Sequence, residues 1–171
     1  MSSLEIIKYG NSVLKQKCEE IKNIDSRVEE LARKMVNTMY LNSGIGLAAP
    51  QVNETKRLIT VDLSIGKNKE DLIILLNPVL LNEDGETIQE EGCLSIPDIQ
   101  EKVQRPKKII VKGINLKGKE QIFEAEDLMA RVFCHEIDHI NGVLFIDRLS
   151  HLKKKLIKNK FKKRNSEKQS I

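Results

Sequence analysis

The chain has 171 residues, of which 40% are hydrophobic and 32% charged, with no Trp and a formal net charge of +4. That length supports one domain with a sizeable core. Three Cys at irregular spacing argue against a disulfide framework, and no apolar run approaches membrane-spanning length. A disulfide-stapled secreted module and an integral helical membrane protein are thereby excluded, and a cytoplasmic globular protein is expected. The charge is uneven: residues 148–171 hold ten Lys/Arg and one Glu, whereas residues 1–147 hold 19 basic and 24 acidic side chains. The basic character is confined to the tail.

Residues 25–41 read as an amphipathic helix, with Asp25 or Ser26 as cap and Val28, Leu31, Ala32, Met35 and Met39 at helical spacing. A stripe of this kind is core packing. Asn42-Ser43-Gly44 ends it. Gly44-Ile45-Gly46-Leu47-Ala48-Ala49-Pro50-Gln51 follows; two Gly, two Ala and a Pro do not read as a regular element, but they let the backbone pass close to another group. A phosphate loop would need a third glycine and a Lys-Ser/Thr ending, and both are absent. The Gln51 amide is a neutral donor suited to an oxyanion.

Strands are predicted at 57–63 and 71–76, the second ended by Asn77-Pro78, with a turn at 82–85. Cys93, within Glu90-Glu91-Gly92-Cys93-Leu94-Ser95-Ile96-Pro97, is by residue type a small buried side chain. Gly92 would also let the backbone approach a ligand closely there, and Leu94 would offer a backbone N–H. Residues 107–116 and 121–125, joined through Lys117-Gly118, read as a hairpin. The expected class is α+β: mostly antiparallel β-sheets packed around a central buried helix, with a helix at the C-terminus.

That central helix starts at Glu126-Asp127, stops at Gly142 and carries Cys134-His135-Glu136-Ile137-Asp138-His139. Leu128, Val132, His135 and His139 share one edge, while Met129, Phe133, Ile137 and Ile140 form a second apolar face, so the helix is buried. Buried histidines need partners. Two of them four residues apart can aim at one metal ion, and Glu136 then lies beside the ion, where a carboxylate can accept a proton from water. A third ligand is required. The extended metalloprotease pattern would place a His at the position of Phe145, and the only downstream Glu is Glu167, inside the basic tail. Cys134 points about 100 degrees around the helix from His135. Cys18, Cys93 or an upstream carboxylate remain, Cys93 being the best placed thiol.

Gly44 to Gln51, Glu91-Gly92-Cys93-Leu94-Ser95 and His135-Glu136-Ile137-Asp138-His139, in this order and with these separations, resemble the peptide deformylase family. The likeness runs from the N-terminus to Leu149 and includes Gly142-Val143-Leu144-Phe145-Ile146-Asp147; Cys134 departs from it, at a position where the family often has Gln. The resemblance implies hydrolysis of the N-formyl group from the formylmethionine of nascent polypeptides, releasing formate. It makes Cys93, His135 and His139 the metal ligands, with Fe(2+) the native ion and Zn(2+) or Ni(2+) able to occupy the site. It gives Glu136 proton transfer, and Gln51 and the Leu94 N–H the oxyanion.

Val132 and Leu128, one and two turns before His135, are expected to line an apolar pocket for an unbranched methionine side chain, to which the resemblance adds Ile45, and the Gly44, Ile45 and Gly46 backbone to pair with the extended peptide. Glu91 is expected to orient a ligand histidine, and Arg105 to pair with Asp138, a surface role for Arg105 being the alternative. Residues 1–149 would then be the catalytic domain of a monomer. Residues 150–171 read as a basic helix, capped by Ser150, with Leu152, Leu156 and Phe161 in an apolar line and a charge suited to ribosomal RNA. Two rival classes are a metallopeptidase and an RNA-binding protein with an accidental metal motif; the second leaves the Gly-rich loop and Cys93 unexplained.

Overall fold

The computed structural model describes residues 3–168; the last three residues of the basic tail, 169–171, lie outside the described residues. Three α-helices, α1 (Ser26–Leu41), α2 (Asp127–Ile140) and α3 (His151–Lys168), combine with seven strands: β1 (Gly46–Ala48), β2 (Leu58–Val61), β3 (Ile73–Asp84), β4 (Thr87–Cys93), β5 (Ile96–Arg105), β6 (Lys108–Ile114) and β7 (Glu120–Glu126). Strands β1-β2-β3-β6-β7 form one sheet in that order, and β4-β5 form a second, two-stranded one. Every pairing between these strands is antiparallel.

The larger sheet is buried on both faces at β2, whose four residues are all inaccessible. Ile59 and Val61 pack with Leu75 and Val111 against Phe133, Cys134, Ile137 and Ile140 of α2. Leu58 and Leu76 pack on the other face with Ala32, Met35 and Met39 of α1. Each of the Leu, Ile, Val, Phe and Met side chains among these contributes about 1.5–3 kcal/mol on burial. Helix α1 begins at the Asp25 cap, whose carboxylate accepts from the Arg27 and Val28 N–H groups. Helix α2 ends where Gly142 takes φ +76°; a Cβ there would meet the Lys15 backbone, its carbonyl carbon at 2.8 Å, so only glycine fits.

Four expectations need correction. Residues 44–51 are partly regular: β1 is an edge strand paired with β2, and Ala49–Val52 form a 3-10 turn. Strand β3 does not stop at Asn77-Pro78 but runs on to Asp84. A register shift between Leu76 and Val79, with Asn77 at φ +50° and its side chain bonded to both backbone groups of Ile21, absorbs the proline, and the turn narrows to the vicinity of Gly85. Residues 87–105, given no regular structure, form the β4-β5 hairpin. In α3 the buried anchor is Ile157, with the Phe161 ring tilted against that of Tyr9 at a centroid distance of 4.8 Å; Leu152 and Leu156 are 67% and 59% exposed.

Candidate metal centre and catalytic cleft

Helix α2 sets the histidines. The His135 and His139 Nε2 atoms lie 3.2 Å apart, and Cys93 Sγ is 3.3 Å from His139 Nε2. Cys93 reaches them because a bulge between Gly92 and Cys93 ends β4, and a tight turn at Leu94-Ser95 starts β5. All three donor atoms fall within 4.8 Å of one another. Donors around a four-coordinate ion, with metal–nitrogen bonds of about 2.0–2.1 Å and a metal–sulfur bond of about 2.3 Å, stand roughly 3.3–3.6 Å apart, so the set fits a metal.

The tautomer of His135 follows from its partner. Glu91 Oε2 lies 3.0 Å from Nδ1, and a carboxylate only accepts, so Nδ1 carries the proton and Nε2 offers its lone pair to the centre. Glu91 is itself buried and saturated: Arg105 donates to it through Nε at 2.7 Å and Nη2 at 2.9 Å, and Arg131 through Nη1 at 2.8 Å. Burial alone would raise the Glu91 carboxyl, but bonds from Arg105 and His135 hold it well below the usual carboxylate range. Arg105, only 2% exposed, also donates to Asp138, which accepts from Arg148 at 2.6 and 2.7 Å. The surface alternative for Arg105 is wrong, because its guanidinium bridges two buried carboxylates. The ring of Phe145 stacks on that of His135 with centroids 6.0 Å apart.

Glu136 is turned toward the β1 edge. A Cβ on Gly46 would overlap its carboxylate and come within 2.9 Å of Val132 Cγ1, so glycine is required for this approach. Glu136 Oε2 is buried with no protein partner among the described residues, and burial pushes the carboxyl up to about 7. Gln51 is 2% exposed; its Oε1 accepts from the Ala48 N–H at 2.9 Å, which fixes the amide so that Nε2 points at Cys93 Sγ, 3.5 Å away, and Ser95 Oγ, 3.2 Å away. The N-terminal segment braces this corner: Ile7 N–H donates to Gln51 O, Tyr9 N–H to Ser95 O, and Lys8 Nζ to Leu94 O.

These groups open on a cavity of about 770 Å³ that also includes Gly44, Ile45, Gly46, Leu94, Leu128 and Val132 in its walls. Of the site residues singled out from the sequence, all but Asp138 line this cavity or bond to a residue that does; Asp138 is reached through Arg105, and Cys18 is buried elsewhere in the core. Sequence reasoning missed Arg131, Arg148, Ser95 and Phe145. Arg131 left a readable signal, since it lies four residues before His135 on a buried face and needed an acid. Arg148 left none.

A mixed fold of helices and antiparallel sheets, with a Cys-His-His group that could hold a metal beside a buried carboxylate, defines a metallohydrolase. Residues 3–155 match the family described as polypeptide deformylase. The peptide deformylase of Thermodesulfovibrio yellowstonii is 48% identical over 162 residues, 95% of this chain and 98% of that one. A crystal structure of a peptide deformylase from Legionella pneumophila superposes with a TM-score of 0.89 at 34% identity, covering 96% of this chain and 98% of that one. One from Synechococcus elongatus, in complex with actinonin, superposes with a TM-score of 0.87 at 36% identity, covering 95% and 88%. The chain belongs to the polypeptide deformylase family. It is a metal-dependent hydrolase that removes the N-formyl group from nascent polypeptides. No helix among the described residues is long and apolar enough to cross a membrane.

Proposed function

We propose that Cys93, His135 and His139 hold one divalent ion, natively Fe(2+) with Zn(2+) or Ni(2+) able to replace it, and that Glu136, Gln51 and Leu94 carry the reaction around it. The observation that carries this reading is the convergence of the three donor atoms beside the partnerless carboxylate oxygen of Glu136. A thiolate with two imidazoles suits zinc as well; the assignment of iron rests on the resemblance.

When bound, the ion supplies Lewis-acid chemistry, acidifying water and polarising the formyl oxygen. Glu136 takes the proton of the attacking water at Oε2 and returns it to the amine nitrogen as the carbon–nitrogen bond breaks, so formate leaves with the oxygen of water and the peptide leaves with a free amine. Gln51 Nε2 and the Leu94 N–H donate to the formyl oxygen as it gains charge; the bond from Ala48 keeps the Gln51 amide from turning its oxygen inward. The free edge of β1 at Gly46, with the Gly44 and Ile45 backbone that leads into it, pairs with the extended peptide, and Leu128, Val132 and Ile45 receive the first side chain. Glu91, Arg105 and Asp138 hold the histidines in place. Glu136→Gln should keep the metal and lower turnover by about 10²–10⁴-fold. Turnover near that of the unmodified enzyme would remove Glu136 from this role.

The same reading makes residues 1–149 the catalytic domain of a cytoplasmic monomer, and residues 150–171 a basic contact for ribosomal RNA near the emerging chain. Lys154, Lys155 and Lys158 are exposed on α3, around the buried Ile157. Truncation after Leu149 would remove Ile157 from the core, so the cleaner test is replacement of these three lysines by Glu. Ribosome binding should weaken, and weaken further with salt; unchanged binding would discard the contact.

A further inference from the structure

The three ligand residues belong to two separately packed bodies. His135 and His139 lie on α2, which shares its core with the five-stranded sheet through Phe133, Ile137 and Ile140. Cys93 lies on the β4-β5 hairpin, which is not hydrogen-bonded to that sheet and packs instead, through Ile96, Ile99 and Val103, on the segment around Phe145 and Ile157. The separation of the two bodies sets the distance from thiol to imidazoles.

Arg131 crosses this seam. It is 3% exposed and stands one helical turn before His135. Its Nη1 donates to Glu91 Oε1 and to Val103 O, each at 2.8 Å, and its Nη2 to Thr87 O at 3.0 Å. One side chain of α2 thus holds β4 at two points and β5 at one. Arg105 already pairs with Glu91 in bidentate fashion, so the charge of Glu91 is countered without Arg131. What Arg131 alone provides is attachment to the two strand carbonyls. A lysine ammonium lacks the planar fork needed to meet all three acceptors.

We propose that Arg131 is a positioning residue for the metal: by stapling both strands of the β4-β5 hairpin to α2, it sets the spacing of Cys93 from His135 and His139 and thereby the affinity for the ion. This rests on the reading of those three residues as ligands.

The test is Co(2+) binding by metal-stripped full-length protein, measured by chelator competition and by thiolate-to-cobalt charge-transfer absorption, without substrate. The unmodified protein should bind one ion with that absorption, and Cys93→Ser should lose both tight binding and absorption. Arg131→Met should bind about 10–100-fold more weakly, with faster release, and gain less thermal stability from the metal than the unmodified protein does. Arg131→Lys should fall between, and serves alone if the Met variant does not fold. A role limited to stability would lower the melting temperature of metal-free and metal-loaded protein equally and leave affinity unchanged. Affinity within twofold of the unmodified protein in the folded Arg131 variants, with Cys93→Ser impaired, overturns this proposal alone. Undiminished binding by Cys93→Ser overturns the ligand reading and the proposal with it.

Discussion

Gly46→Ala adds one methyl group at the most constrained point of the cleft. Strand β1 is held by pairing with β2, Gly46 opposite Val61, and α2 is locked between the sheet and the hairpin, so neither backbone can retreat easily. The new Cβ would overlap the Glu136 carboxylate and press on Val132 Cγ1 at 2.9 Å, and the side chain that yields is Glu136. A displacement of about 1 Å at a proton-transferring group costs roughly 10²-fold in rate, while the overpacking costs about 1–3 kcal/mol of stability. Formate release should therefore fall about 100-fold in kcat at full metal content, with the loss in KM much smaller. Gly44→Ala is the control: its Cβ would meet the movable end of Leu94 at 3.0 Å, and its rate should stay within about tenfold. A Gly46→Ala enzyme with full metal and kcat within threefold of the unmodified one would refute the placement of Glu136 against this strand.

Burial pushes the Cys18 and Cys134 thiols up to about 11, so at pH 8 roughly one in a thousand is ionised. In metal-stripped native protein one thiol per chain, the half-buried Cys93, should react rapidly with an aromatic disulfide reagent and be protected by metal; two fast thiols in the native state would contradict the burial described. Ile157→Ala should destabilise by about 2–5 kcal/mol in urea unfolding and Leu156→Ala by less than about 0.5 kcal/mol, because only Ile157 packs into the hairpin core; equal effects would reverse the orientation of α3. Arg105→Met leaves Glu91 with fewer bonds and strands part of the Asp138 charge in a buried site, and should cost about 3–5 kcal/mol. A midpoint shift worth under 1 kcal/mol would mean that the pair is solvated in practice.

Helix α2 was legible because its pattern agrees at every level: apolar faces on two sides, acids at the start, glycine at the stop, and polar residues confined to the edge that carries the histidines. The β4-β5 hairpin was not. Glu90, Glu91 and Glu101 make it polar, and Asp98 at φ +62° shifts the alternation, so Ile96 and Ile99 face inward out of step while Ile99, Val103 and Arg105 follow the strand period. Pro78 obscured β3 for a related reason, since a bulge there is paid for by the side chain of a distant residue pair, Asn77 and Ile21. In α3, Leu152, Leu156 and Ile157 look alike as residue types; contact with the hairpin core and the nearby Tyr9-Phe161 pair selects Ile157. The arginine network is tertiary in origin. Arg105, Arg131 and Arg148 come from β5, α2 and the segment before α3, and nothing local marks Arg148 as the partner of Asp138.

The most direct measurement is formate release from formyl-Met-Ala-Ser by anaerobically purified protein, with metal content determined on the same sample. Release should rise in proportion to bound metal, reach its limit at about one ion per chain, and disappear on chelation. Protein loaded with one ion at Cys93, His135 and His139 that releases no formate would contradict the account.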